Sequence, residues 1–426
     1  MKHLSILLTC ASLAAPADAQ EVSSLGADLA TFDKVWEIVD EYHFDPEHNG
    51  VDWDAARLEY RPRAQAAEDR QTSRDIVNEM LALLGQSHFE LIAQEALKDG
   101  EESSKASPAG TVGFDVRVRG DAVWVNRVEP RSPADVAGVR RGWTLTAIDG
   151  ETTGVLMAAM PSEATLRPET AHRTGLLPSI DGAVGTSASF TFETGTGDSP
   201  DPVELNRVER DAVPIDMPGL PRFYLTLRSE RRERGSRTIG VVHFSNWFSG
   251  IEKELHEALD AMADCHGVVL DLRGNTGGDG LMACRVAGHF FEQRTSLGTQ
   301  VSRRGNFDYT VRPRGTALLG PLVILTDETT GSASEVFTGG MQALGRAMVI
   351  GEVSTGAALP STLTRVPNGD YLLHAIGDFL TADGESMEGD GVQPDQVVPL
   401  RRADLLAGTD APLDAALDWI ADQAGR

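Results

Sequence analysis

Two short segments carry residues suited to chemistry on a carbonyl group. The first is Asp271-Leu-Arg-Gly-Asn-Thr-Gly-Gly278, which follows a short apolar run and precedes a helical pattern. Adjacent Gly277 and Gly278 allow backbone N–H groups to face a ligand without side-chain obstruction. A phosphate loop would need a Gly-Lys-Ser/Thr ending or a correctly spaced G-x-G-x-x-G, and neither occurs here. Acyl transfer needs such donors, aimed in advance at a developing negative oxygen. The second segment is Thr330-Gly-Ser-Ala-Ser-Glu335, at the start of a helical pattern running to Leu344. Ser332-x-x-Glu335 fits a helix capping box. The same serine at a helix N-terminus is also placed as a nucleophile, because the dipole there favours an anion. Alone the pattern reads as a cap; beside a glycine loop it reads as a nucleophile.

A base must accompany such a serine. His88 follows Ser87 in Leu83-Leu-Gly-Gln-Ser-His-Phe-Glu90, and His243 on a later strand competes with it. An unperturbed histidine base loses activity as pH falls through about 6.5. His43 and His48 lie in a turn with Pro, Asn and Gly and read as surface histidines. No HExxH or CxxC is present, so neither a metal nor another cofactor is expected. Cys265 and Cys284 flank a strand whose ends stand roughly 17–20 Å apart, beyond disulfide reach. Two free thiols follow.

The positioning elements fall into three segments after a leader. Residues 1–19 read as a signal peptide, with Lys2 and His3, an apolar run from Leu4 to Ala15, and an Ala17-Asp18-Ala19 cleavage pattern. Leu7-Leu8-Thr9-Cys10 faintly resembles a lipid-anchoring signal, although threonine before the cysteine is atypical. Residues 20–105 read as helical, with Ile76, Met80, Leu83 and Leu84 at helical spacing and Ser87-His88 ending a helix. Residues 106–211 change to short strands with an inserted helix and loop at 154–180. From 212 to 426 strand and helix alternate, the pattern of an α/β layer architecture. No later run spans a bilayer, so an exported protein, periplasmic or secreted, with no integral membrane segment after cleavage is expected. Lys+Arg 38 against Asp+Glu 64 gives a net charge of -26, which argues against a nucleic-acid partner.

The middle segment resembles a PDZ domain in Thr111-Val-Gly-Phe114, Val128-Glu-Pro-Arg-Ser-Pro-Ala134, Ala137-Gly138-Val139, Gly142 and Ile148-Asp149-Gly150. A glycine-bearing turn before a strand can hold a peptide carboxylate on its N–H groups while the strand edge pairs with the peptide. Gly113 and Phe114 are thus candidate peptide-binding residues. Trp143 departs from the aspartate usual at its place.

The two chemical motifs, with Val349-Ile-Gly-Glu352 and Gly389-Asp-Gly-Val-Gln-Pro-Asp395, occur in the order and spacing of the carboxyl-terminal processing peptidase family. With the PDZ-like part, the resemblance covers most of residues 108–399. It implies a core similar to the crotonase/ClpP fold and a serine peptidase cutting polypeptides, possible substrates being presented by their C-termini at the PDZ-like domain. It puts the nucleophile at Ser332 and the oxyanion donors at the amides of Ala333 and of Gly277 or Gly278. One branch of the family uses a lysine about 25 residues after the nucleophile. Here Gly356-Ala357 stands in that place and no lysine follows Lys253. The other branch resembles the tricorn core and uses a Ser-His pair with a late glutamate. That implies His88 as base and Glu388 as orienting acid through Ser87, with Glu385 and Asp390 as alternatives in the same loop. Interphotoreceptor retinoid-binding proteins share this fold and bind ligands, so a non-catalytic binding protein is the rival reading.

Overall fold

A computed structural model describes residues 24–96, 109–159, 168–215 and 223–423. The expected signal peptide, Cys10 and most of the linker before the middle segment lie outside the described residues.

The sheet of the α/β segment explains its own sequence pattern. Its six strands run in the order Leu227–Arg234, Arg237–Phe244, Val268–Asp271, Leu322–Thr326, Met348–Gly351, Gln396–Val397. The first pair is antiparallel and the rest are parallel. Side chains alternate across a strand. Val268, Leu270, Ile324 and Val349 therefore enter one core with Leu255, Met282, Val286 and Phe337. Val269, Val323, Leu325 and Ile350 enter another with Ala416, Leu417 and Ile420 of the last helix. Both faces are covered, which is why these strands read as unbroken apolar runs. The result is a mixed α/β fold with helices on both sides of the sheet.

The N-terminal part forms three helices, Ser24–Tyr42, Trp53–Gln65 and Arg70–Ala82. They share a core with Leu359, Val366, Leu372 and Ala375, which belong to the later chain. The strand Glu90–Ile92 completes this union by pairing with Tyr371–Ala375. Ser87-His88 does not end a helix, contrary to the periodicity. The helix stops at Ala82 and Gly85, at φ 62°, lets the chain turn. The middle part is an antiparallel sheet in the order Phe114–Arg119, Ala122–Val128, Thr144–Ile148, Ser187–Glu193, Val203–Asn206. The inserted stretch supplies the helices Thr153–Ala158 and Pro168–Ile180.

Cys265 and Cys284 are both free thiols. Among the described residues no helix is long and apolar enough to cross a membrane, and no group of three metal-ligating side chains assembles.

Candidate active site

The loop after the central strand is shaped by its own polar residues. Arg273 ties Asp271, at 2.7 Å, to Asp410 at 2.8 Å, anchoring the loop to the start of the last helix. Asn275 is fully buried; its amide donates to Phe244 O and its Oδ1 accepts the Gly277 N–H at 3.0 Å. Gly277 and Gly278 take φ 110° and 138°. A Cβ at 277 would lie 2.6 Å from Ser332 Cβ, so glycine is required for the loop to lie against that serine.

Ser332 begins the helix Ala333–Ala343 at φ 53°, ψ -120°, a conformation that costs a side-chain-bearing residue about 1–3 kcal/mol. Glu335 holds it there. This fully buried carboxylate accepts four hydrogen bonds: Ser332 N at 2.9 Å, Ala357 N at 3.0 Å, Gly356 N at 2.7 Å and Ser354 Oγ at 2.5 Å. Only the Glu335 half of the capping box serves the backbone. The Ser332 hydroxyl makes no capping bond to a helix amide. Burial raises the Glu335 pKa against the pull of its donors.

Ser87, His88 and Glu388 come together from opposite ends of the chain. Ser87 N donates to Glu388 Oε1 at 2.6 Å and Ser87 Oγ donates to Glu388 Oε2 at 2.9 Å. Ala358 N donates to the same carboxylate at 3.0 Å. Ser87 Oγ also lies 2.7 Å from His88 Nδ1. A serine hydroxyl has one proton, and here it goes to the ionised carboxylate. Ser87 Oγ must therefore accept from His88 Nδ1–H, leaving the lone pair on Nε2. Burial pushes the His88 pKa down to about 4 and raises that of Glu388. Glu385 and Asp390, by contrast, are exposed.

His88 and Ser332 line one cleft of about 290 Å³, with Thr276, Thr329, Thr355 and Leu373. Two further walls, Thr170 and Thr174, come from the inserted helix of the middle segment. No feature of the sequence marked these threonines, since uncharged lining residues carry no spacing signature. No hydrogen bond joins His88 to Ser332; such contacts often tighten only with substrate bound. His243 does not line the cleft. Its Nδ1 lies 2.9 Å from Asp271 O, and burial lowers its pKa.

Of the oxyanion candidates, Gly277 is corrected. Its N–H is engaged by Asn275, whereas no hydrogen bond among the described residues engages the amides of Gly278 and Ala333. Gly113 and Phe114 do not form an open peptide groove. Gly113 N donates to Thr111 Oγ1 at 3.1 Å, and the Phe114 ring is buried against Phe190 and Phe192. Arg173 of the inserted helix donates to Val116 O on the same edge strand at 3.1 Å. Further along that strand, buried Arg117 pairs with Glu328 and Glu352 of the α/β part, as does Arg119.

Peptidase family S41 matches residues 238–398, the stretch holding the glycine loop, Ser332 and Glu388. That stretch of the chain is a peptidase family S41 domain. The Tricorn protease C1 domain matches residues 30–82, the helical part leading to Ser87-His88. The chain is 27% identical over 401 residues to a carboxyl-terminal-processing protease of Picosynechococcus sp., covering 92% of this chain and 89% of that protein. The photosystem II D1 C-terminal processing protease superposes with a TM-score of 0.60 at 20% identity, over 92% of this chain and 97% of that one. The tricorn protease superposes with a TM-score of 0.55 at 19% identity, over 94% of this chain and 37% of that one. This S41 protein is a serine-type peptidase acting on polypeptides.

Proposed function

We propose that this chain is an exported endopeptidase working through an acyl-enzyme, with Ser332 as nucleophile and His88 as base. The observation that carries the reading is the Glu388–Ser87–His88 chain, which leaves the Nε2 lone pair in the cleft that Ser332 shares. Ser332 Oγ adds to the scissile carbonyl while its proton moves to Nε2. The oxyanion forms against the amides of Ala333 and Gly278. Collapse breaks the C–N bond, and Nε2 returns the proton to the leaving amine. Water, deprotonated by the same nitrogen, then adds to the acyl carbonyl; the C–Oγ bond breaks, Nε2 returns its proton to Ser332 Oγ and the acid leaves.

The middle segment, PDZ-like in its motifs, serves in this reading as a brace. Thr170 Oγ1 donates to Glu328 O at 3.3 Å, and Thr355 Oγ1 to the same carbonyl at 2.9 Å. Arg117 and Arg119 hold the Glu328 and Glu352 carboxylates. The loop leading to Ser332 is thereby gripped from the PDZ-like side. Capture of a substrate C-terminus at Gly113-Phe114 would require Arg173 to leave the strand edge. The α/β core is crotonase/ClpP-like in this account, and cleavage of residues 1–19 delivers the chain outside the cytoplasm.

The test is fluorophosphonate labelling with mass-spectrometric mapping. An adduct on Ser332, abolished in Ser332→Ala and much slowed in His88→Ala, is expected. Undiminished labelling or peptidase activity in either variant would refute the assignment. N-terminal sequencing of protein recovered from the extracytoplasmic fraction checks the leader, with Gln20 expected first.

A further inference from the structure

His43 lies outside the set just assigned, and its turn had the look of a surface loop. The ring is instead fully buried, and His48 beside it nearly so. Burial lowers the pKa of His43, keeping the imidazole neutral. It grips the turn that carries His88 on both sides. His43 Nε2 lies 2.9 Å from Gln86 Oε1, immediately before Ser87-His88. The ring also stacks on Phe89, immediately after the pair, at 5.3 Å between centroids and 13° between planes. Phe44 also stacks on the ring, at 5.0 Å between centroids. With the ring proton on Nε2 for Gln86 Oε1, Nδ1 accepts the Asp45 N–H at 3.2 Å. The same loop reaches the preceding helix end, where Asn49 Nδ2 donates to Leu84 O at 2.8 Å.

The turn needs such a grip. His88 sits at φ 61°, unfavourable for a residue with a side chain, and persists only where the surroundings over-determine it. Glu388 holds Ser87, but the flanking residues Gln86 and Phe89 need their own restraint. We propose that His43 is a positioning residue for the peptidase reaction, holding Gln86 and Phe89 so that the His88 imidazole faces Ser332. The inference rests on His88 being the base. Displacing a reacting group by about 1 Å costs on the order of 100-fold.

Two variants remove the hydrogen bond from its two ends. His43→Phe keeps an aromatic ring for stacking, and Gln86→Leu alters only the partly exposed partner. Each is expected to lower the fluorophosphonate labelling rate of Ser332 by about 10- to 100-fold, with KM for a cleaved peptide changed less than about twofold. Because both break one bond, His43→Phe/Gln86→Leu should be no slower than the slower single variant. In a His88→Ala background Gln86→Leu should cost nothing further. Wild-type rates in folded Gln86→Leu would overturn the proposal, even if His43→Phe does not fold. So would losses that multiply in the double variant or persist undiminished without His88. Absence of labelling in the wild-type protein would instead remove the catalytic reading on which the proposal stands.

Discussion

The acid limb of the activity profile tests the burial of His88 directly. A histidine free in water titrates near 6.5, which by itself places half-maximal activity at that pH. Burial pushes His88 down to about 4. That difference corresponds to roughly 3 kcal/mol against the imidazolium in the free enzyme. At pH 5 a base with a pKa of 4 is about 90% neutral, whereas one at 6.5 is only about 3% neutral. The measurement is the second-order rate of fluorophosphonate labelling of Ser332 between pH 4 and 8, which needs no knowledge of the natural substrate. A profile flat from 8 to about 5 and falling below is expected. A flat profile over 5 to 8 is thus compatible with a histidine base, contrary to the rule for an unperturbed one. Circular dichroism must accompany each point. Burial also drives His289 and His374 down to about 4. The unfolded chain then takes up protons first as pH drops below 6.5, so stability declines from there towards 4. Half-maximal labelling near 6.5 in fully folded protein would refute the reasoning, since it would mean that His88 is solvated as an ordinary surface histidine.

Three substitutions probe the parts around it. Glu388→Gln replaces an acceptor oxygen with an amide that can donate to Ser87 Oγ, disfavouring the tautomer with a free Nε2; kcat should fall about 10²- to 10⁴-fold with KM little changed, and full activity would exclude the relay. Glu335→Gln brings an NH2 group against donors at Ser332, Ala357, Gly356 or Ser354, and should cost about 3 kcal/mol or more in urea unfolding; a wild-type midpoint would show that the buried carboxylate does not hold the turn at Ser332. Arg117→Met leaves Glu328 and Glu352 with Arg119 alone, and breaking so buried an ion pair costs about 3–5 kcal/mol. Limited proteolysis between the middle and α/β segments should accelerate and peptidase activity should drop, whereas an unaltered digestion rate would remove the brace.

What could be read from residues alone follows the physics that produced it. The parallel strands announced themselves because both faces are buried, and the glycine loop because Gly277 and Gly278 adopt φ values that side chains avoid. Ser87, His88 and Glu388 were legible only through resemblance, because 300 residues separate the glutamate from the pair and no local pattern encodes their contact. Gly277 was chosen as readily as Gly278, since only the Asn275 side chain decides which amide stays free. His43 was misjudged for a related reason. A turn rich in Pro, Asn and Gly predicts exposure from local conformation, but Phe44 and Phe89 stack on His43 and Trp53 stacks on His48. Thr170 and Thr174 carried no mark at all, and they reach the cleft because the inserted helix lies across the edge of the middle segment's antiparallel sheet.

In the proposed mechanism the burial of His88 has a catalytic cost that the rest of the site offsets. A low pKa keeps the base neutral over a wide range but weakens its pull on the Ser332 proton, because the imidazolium formed in the transition state is poorly solvated. A carboxylate in direct contact would relieve this and would also raise the resting pKa. Here the Glu388 charge acts through the Ser87 hydroxyl, whose oxygen accepts from Nδ1 and whose proton goes to the carboxylate. The relay is polarised most when positive charge develops on the ring, so its stabilisation grows along the reaction coordinate rather than in the ground state. Ser87→Ala separates the two effects. Removing the hydroxyl deprives Nδ1–H of its acceptor and should lower kcat at every pH. The acid limb should stay near its wild-type position, because burial rather than Glu388 sets it. An acid limb that moves with the loss of Ser87 by a full pH unit would show that the carboxylate, not desolvation, governs the resting charge of His88.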